Sequence, residues 1–406
     1  MYDVLVAGGG PVGCQAAYRL ASFGFKVAII EQKDTLDTPV CCTGIVSEEC
    51  VRTFQIDDKV VFGHAISATI YSPAEKRLHL WRPSPQAAIL NRPAFNVSMV
   101  SRAKSNGVEF ITGNYVTDVV IEKDFARIKF DSQGNVKSLD ARALIIATGF
   151  LPHLTERLGL GKPGGFVAGA QAEVNTNGVN EVEVYTGKKY APGFFAWLVP
   201  TSPRRALAGL LTKYDARGYL NNFISDMINK GKIVSSPFTI NSGGVPLKPL
   251  SRTYTDRILV VGTAAGQVKP ITGGGIYYGL LCADIAADVL SDALRRDDLS
   301  RRTLAVYQQG WEKILSKEIN IGLWARRIYE HFNDHQIERI FDIMQSTGLI
   351  EALLNQDDLS FDWHSHAVGH LLQDRTLFKL IKGLKIPPPT DGRQDSSIPR
   401  EENRLD

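Results

Sequence analysis

The 406-residue chain has no long apolar run, little excess of charge of either sign and only five cysteines. No stretch approaches the roughly 18 consecutive apolar residues of a spanning helix, so no transmembrane segment is expected. Lys and Arg total 46 against 43 Asp and Glu, and a net charge of +3 gives no reason to expect nucleic acid as a partner. Cys14, Cys41, Cys42, Cys50 and Cys282 form neither a disulfide framework nor a metal-spaced set, which fits a reducing compartment. No charged leader or cleavage site precedes the first apolar segment at Tyr2. The expected location is therefore the cytoplasm, with peripheral membrane contact left open. Ordinary hydrophobic (44%) and charged (22%) contents allow roughly two to three globular domains in a chain of this length.

What is present begins at once. Residues Met1 to Glu31 read as a buried strand (Tyr2–Ala7), a glycine turn (Gly8, Gly10, Gly13), a small-residue helix and a second strand ending in Glu31. In such a βαβ unit Gly8 permits the tight turn, Gly10 lets the backbone approach a pyrophosphate, and Gly13 lets helix and strand pack closely. Glu31 lies 18 residues past Gly13, close to the roughly 20 at which an acid reaches a ribose hydroxyl. This is a dinucleotide fingerprint.

Beyond it, Cys41 and Cys42 stand side by side in a Thr43-Gly44 turn that should return across the cofactor. Small buried thiols would explain them equally well. Short alternating runs around Pro73 predict a β-hairpin between Ala65 and Trp81. Arg92 opens the next helix and could fork onto a phosphate, although its spacing alone suits a surface salt bridge. The apolar strand Ala141–Ala147 closes on Thr148-Gly149, as a central parallel strand does where it meets a ligand.

From Phe150 to about Thr253 the βα rhythm gives way to short strands, which predicts an inserted antiparallel sheet forming a substrate wall. Within it Phe195 and Trp197 would share a strand face, in a sheet core or on a substrate surface. The nucleotide domain resumes near Arg257 and reaches Gly273-Gly274-Gly275-Ile276 at the start of a long helix. Three glycines there are entropically costly, so a ligand against that helix start is expected. The rest is helical by pattern. His366 and His370, four apart, lack a surrounding ligand set and read as a polar helix face, with no metal expected. Leu377 to Lys385 is short, apolar and basic, the pattern of an interfacial helix and also of an ordinary docking helix with solvated lysines.

One fingerprint, a Thr-Gly strand end and a distant glycine helix start, with no second G-x-G-x-x-G, point to FAD rather than NAD. The expected fold class is α/β: a Rossmann-like FAD-binding domain (1–62, 86–150 and 254–298), a β-rich substrate domain (63–85 and 151–253), C-terminal helices (299–386) and a disordered tail (387–406).

On these residues the sequence resembles the geranylgeranyl reductases, within the p-hydroxybenzoate hydroxylase-like flavoproteins. The carriers are Gly8-x-Gly10-x-x-Gly13 with Glu31, Cys42-x-Gly44, Asn91-Arg92-x-x-Phe95, Ala147-Thr148-Gly149, Phe195-x-Trp197-x-x-Pro200, and above all the run Lys269 to Gly279. The resemblance implies FAD-dependent hydrogenation of isolated C=C bonds in prenyl chains. It places FAD on the first turn (with Pro11 and Val12), Glu31 and Gln32, Cys42 and Thr43, Arg92, Val116, the Ala147-Thr148-Gly149 strand end, Gly262 and Thr263, and Pro270 with Gly273 to Ile276. Phe195, Trp197, Pro200 and Tyr277 would touch the lipid, and Cys42 or Cys41 would supply the proton. NAD(P)H or reduced ferredoxin would supply electrons, the latter as a protein partner. The family usually has Asp where this chain has Thr263, a weaker acceptor for a ribitol hydroxyl. Two other expectations stay open: a flavin monooxygenase of an aromatic or quinone substrate, and an electron-transfer flavoprotein acting on a quinone. The best-known form of the latter needs a cysteine-ligated cluster, and no cysteine follows Cys282.

Overall fold

Strands without polar alternation are buried on both faces, and here they make the central sheet. In the computed structural model, which describes residues 1–384 and 386, β1 (Tyr2–Ala7) lies between β2 (Val27–Ile30) and β11 (Asn135–Ile146), parallel to both. Strands β18 (Ile258–Val260) and β8 (Glu109–Ile111) add outside β11 and β2, also parallel. β17 (Tyr254–Thr255) pairs antiparallel with β18 at the edge. A ribbon of β9 (Tyr115–Ile121) and β10 (Ala126–Ser132) continues from the polar first half of β11.

Helix α1 (Pro11–Ser22) crosses from β1 to β2 and packs on α3 (Arg92–Ser105) and α6 (Ile276–Arg295). Small side chains bring α1 and α6 together: Ala16, Ala17, Ala283, Ala286 and Ala287 are fully buried, as are Cys14 and Cys282. Those two thiols behave as small core hydrophobes. Beside this layer stand α2 (Glu48–Phe54) and a small sheet of β3 (Ile45–Ser47), β7 (Ala87–Leu90) and β4 (Val61–Ala65).

The second large sheet has seven strands in the order β16 (Asn241–Lys248), β12 (Gly164–Asn175), β15 (Arg205–Thr212), β14 (Phe195–Ser202), β13 (Val182–Thr186), β5 (Ser67–Tyr71), β6 (Arg77–Trp81). The β5–β6 hairpin therefore joins strands more than a hundred residues away, through the parallel pair β5–β13. Of its two faces, one is covered by α5 (Ala216–Asn229), whose Leu220, Phe223, Ile224 and Met227 pack on Ala196, Leu198, Ala208 and Leu210. The short helix α4 (His153–Arg157) lies by β9.

The 31-residue helix α7 (Arg301–His331) joins the two halves. Its Leu304, Tyr307, Trp311, Leu315 and Ile319 lie in the core of the nucleotide domain, while Trp324 and Ile328 belong to a separate cluster. That cluster is closed by α8 (Asp334–Ser346), α9 (Leu349–Leu354), α10 (His364–Gln373) and α11 (Arg375–Lys382). No helix among the described residues is long and apolar enough to cross a membrane. The tail expected at 387–406 lies outside the described residues.

Candidate active site

Each glycine of the first turn meets a different constraint. Gly8 has φ +106°, and a Cβ there would lie 2.5 Å from the Ala147 carbonyl oxygen. A Cβ on Gly13 would lie 2.0 Å from the Gly8 carbonyl oxygen, so only glycine lets α1 start this close to β1. Nothing lies within 4 Å of a Cβ placed on Gly10. The chain there faces open space, at a helix start whose Pro11 follows an uncapped Gly10. Uncapped N–H groups at such a start attract an anion.

Glu31, 6% exposed, braces the turn: its carboxylate accepts from the Gly9 N–H (2.6 Å) and from the Lys33 N–H (3.0 Å). Around it opens a cavity of about 210 Å³. Its walls include Gly8, Gly10, Pro11, Glu31, Gln32, Arg92, Val116, Ala147, Thr148 and Gly149, which brings together the first turn, both strand ends and the start of α3. Asn96, Asn114 and His153 also line it. The sequence reading assigned none of these three to the cofactor. Asn96 lies one turn beyond Arg92 on α3, and Asn114 directly precedes β9, so helical spacing could have flagged the first.

The polar atoms here suit a dinucleotide. Arg92 Nε and Nη1, Thr148 Oγ1, Asn96 Oδ1 and Asn114 Oδ1 are buried without a hydrogen-bond partner in the protein. Buried polar groups normally find partners, and an adenylate with its pyrophosphate offers acceptors to the guanidinium and donors to the amide oxygens. Arg92 is held over the Phe95 ring at 5.4 Å, and its stem packs on Gly44, where a Cβ would lie 2.8 Å from Arg92 Cδ. The Cys42-x-Gly44 turn and the Arg92 helix start therefore fit each other directly.

The same turn reaches the second sheet. Thr43 Oγ1 donates to Gln171 Oε1 at 2.7 Å. The Cys41 side chain lies over bare backbone, with Sγ 3.5 Å from a Cβ placed on Gly169 and Cβ 3.5 Å from one placed on Gly243. Burial, and then the neighbouring Cys42, push the Cys41 thiol up to about 12, so it stays protonated at neutral pH. By register Trp197, Gly209, Gln171 and Asn241 form one cross-strand row, and Leu211, Gly169 and Gly243 the next on the same face. Phe195 shares that face, 6.0 Å from Trp197. The Trp197 indole lies flat on Gly209, where a Cβ would come within 2.6 Å of it. Pro200 falls on the alternate face, next to an irregularity in the β14–β15 pairing.

The glycine helix start closes the third side. Gly273 has φ +72°, and a Cβ there would lie 2.7 Å from Leu211 Cδ1, so this loop rests on the same sheet face. Substituents at Gly274 and Gly275 would meet Lys269 Cε at 2.7 Å and Val268 Cγ1 at 2.9 Å. Gly275 caps α6 without a side-chain hydrogen bond, leaving the N–H groups before and after Ile276 free for a ligand. Thr263 lies beside this start, with Oγ1 3.5 Å from a Cβ placed on Gly275, and Gly262 packs on Val12. Pro270 packs on Gly322 of α7.

Tyr277 sits elsewhere. Its hydroxyl donates to Glu49 Oε1 (2.7 Å), and its ring meets Phe54 and Trp363 edge-on, in the core of the nucleotide domain rather than beside Phe195 and Trp197. His366 and His370 both reach Asp358 on the surface.

The chain as a whole is similar to known proteins. Residues 2–168 match the family model described as pyridine nucleotide-disulphide oxidoreductase. Digeranylgeranylglycerophospholipid reductase 2 of Methanothermobacter thermautotrophicus is 29% identical over 363 residues, covering 86% of this chain and 93% of that protein. The digeranylgeranylglycerophospholipid reductase of Methanocaldococcus jannaschii is 29% identical over 357 residues, covering 85% and 90%. Among solved structures, a geranylgeranyl bacteriochlorophyll reductase-like protein from Thermoplasma acidophilum superposes with a TM-score of 0.81 at 21% identity, covering 95% of this chain and 98% of that one. A flavin-dependent brominase has the same fold, with a TM-score of 0.67 at 14% identity over 95% of this chain and 98% of its own. Over most of its length the chain is similar to the digeranylgeranylglycerophospholipid reductases, and it is an FAD-dependent oxidoreductase.

Proposed function

We propose that the protein uses FAD to saturate C=C bonds of a prenyl chain of the geranylgeranyl type, carried on a lipid or a diphosphate. The observation that carries this reading is the meeting of three elements on one sheet face: the Cys41–Thr43 turn, the Gly273 loop and the Phe195/Trp197 strand. The relatives named above, which are reductases of digeranylgeranylglycerophospholipid by name, support it.

In this reading Arg92 and the uncapped start of α1 hold the pyrophosphate, and Glu31 takes a ribose hydroxyl. Thr263, the Gly273–Gly275 loop and the α6 N-terminus face the far end of the cofactor. Bound FAD supplies the hydride. The protein has to place a proton and exclude water. In this reading Cys42, a free and partly buried thiol, gives the proton, and Cys41, held protonated by burial, stands beside it. Phe195 and Trp197 supply an aromatic wall along which an isoprenoid chain can lie. Electrons come from NAD(P)H or from reduced ferredoxin, and the lipid substrate is met at a membrane surface.

The test is anaerobic. Chemically reduced enzyme mixed with geranylgeranyl diphosphate or a geranylgeranyl ether lipid should recover oxidised-flavin absorbance at a rate that depends on substrate. A flavin that stays reduced with every prenyl compound sinks the reading.

A further inference from the structure

Helix α11 is two-sided. Leu377, Leu380, Ile381 and Leu384 follow the spacing i, i+3, i+4, i+7; Leu377 is buried, and the other three pack on the cluster of Trp324, Ile328, Phe332 and Phe341. The spacing repeats on the outer side with Arg375, Phe378, Lys379 and Lys382, all exposed, Phe378 at 47%. Between α8 and α11 opens a cavity of about 380 Å³ into which Arg339 and Lys379 face, together with Gln336 and Thr376.

Acids near this face have other partners. Glu338 and Asp342 pair with Lys76 from the β5–β6 hairpin. Asp374 caps α11 by accepting from the Thr376 and Leu377 N–H groups. Asp358 takes His366 and His370, and Asp334 accepts from the Lys188 N–H. Arg339, Arg375, Lys379 and Lys382 remain without an ion pair among the described residues. An exposed aromatic side chain set among cations that lack an ion pair among the described residues suits an anionic lipid surface: the cations meet phosphates and the ring enters the headgroup boundary. Nucleic acid is a poor match, because the whole chain carries only +3.

We infer that the outer face of α11, with Arg339 beside it, docks the protein on an anionic lipid bilayer. This deepens the proposed function, on which it rests for the reason a membrane is visited: a prenyl lipid has to be taken from one. Lys379 and Lys382 give the attraction and Phe378 the insertion.

The experiment is partitioning of the full-length, FAD-loaded protein onto sedimented vesicles of phosphatidylglycerol and phosphatidylcholine, against vesicles of phosphatidylcholine alone. The wild type should partition onto the anionic vesicles only, and less as salt is raised. The variant carrying Lys379→Gln and Lys382→Gln should partition on the order of thirtyfold less, about fivefold for each charge. Phe378→Ala should lose about tenfold at unchanged net charge. Both variants should reduce water-soluble geranylgeranyl diphosphate as the wild type does, since the changes lie on the surface. Equal partitioning of wild type and double variant, equal retention on both vesicle types, or a face occupied by a second copy of the chain with vesicle binding unaltered by the substitutions overturns the inference. Partitioning needs no turnover. Charge-dependent binding without prenyl reduction would leave the docking standing and overturn the proposed function alone.

Discussion

Lys269 and Asp362 form an ion pair in which the two side chains are only 4% and 1% exposed, joining the loop before α6 to the segment before α10. Around it, Asp362 also accepts from the Ser47 N–H (3.2 Å), and its carbonyl accepts from the Tyr278 hydroxyl (3.0 Å). Trp363 Nε1 donates to Glu49 (2.9 Å), and the Ser365 N–H to Glu318 (2.9 Å). The C-terminal region is thereby tied to the loop that carries Gly273, Gly274 and Gly275. Asp362→Asn leaves the Lys269 charge buried without its counterion, which should cost about 3–5 kcal/mol. Thermal unfolding should show it as a lowered midpoint with earlier flavin release. The double change Lys269→Met with Asp362→Leu should recover part of the loss, because a buried pair replaced by apolar groups is often neutral while the Ser47 N–H loses its acceptor. A single variant as stable as the wild type contradicts this account.

His364 makes the same region acid-sensitive. Burial, and then the nearby Lys269 charge, push its imidazole down to about 4. Its folded value lies below the unfolded one, so its contribution is complete above about pH 6.5 and is lost as pH falls toward 4. At full expression this amounts to about 3 kcal/mol. Urea unfolding between pH 7 and 4.5 should show wild-type stability falling faster than that of His364→Phe. Parallel pH profiles count against the assignment.

Gly10 and Gly13 should separate cofactor binding from folding. A methyl at position 13 meets the Gly8 carbonyl at 2.0 Å, while one at position 10 meets nothing within 4 Å. Gly13→Ala should therefore lower the stability of the apoprotein. Gly10→Ala should unfold at the wild-type midpoint as apoprotein but bind FAD more weakly, since its methyl occupies the side from which a pyrophosphate approaches. Unchanged FAD affinity in Gly10→Ala contradicts the placement.

Arg92 carries unpaired buried nitrogens toward the same cavity. Losing a charge-assisted hydrogen-bonded pair costs about 1.5–3 kcal/mol, so Arg92→Met apoprotein titrated with FAD should bind roughly ten- to a hundredfold more weakly. Equal affinity would return Arg92 to a purely structural role.

The first third of this site was legible because it is local. A strand, three glycines, a helix and an acid lie within 31 residues, and each obeys backbone rules that can be read without a partner. The Gly273–Gly275 helix start stood out because three glycines there are entropically costly, and the structure sets each against a side chain, Leu211, Lys269 and Val268 in turn. What could not be read is what the sheet brings from afar. Thr43 finds Gln171 across 128 residues, and Lys269 finds Asp362 across 93. The strand β16 contains Gly243-Gly244-Pro246, a composition that argues against a strand. It pairs with β12 nonetheless, and its glycines have a reason there: the Phe150 ring lies on Gly244, 2.3 Å from where a Cβ would be, while Cys41 packs in ordinary contact on Gly243. Gly209 under Trp197 has the same explanation, invisible until β14 and β15 pair. Tyr277 shows the reverse: it adjoins the glycine run in sequence, yet the helical turn after Gly275 sends its ring toward Phe54 and Trp363.

The most direct measurement is the mass of the product. Enzyme reduced under anaerobic conditions and incubated with a geranylgeranyl lipid or diphosphate should return the prenyl chain heavier in steps of two hydrogens. Cys42→Ser should slow that gain while its flavin stays bound. A chain of unchanged mass across several prenyl substrates, or a substrate that gains one oxygen atom when air is admitted, would contradict the account.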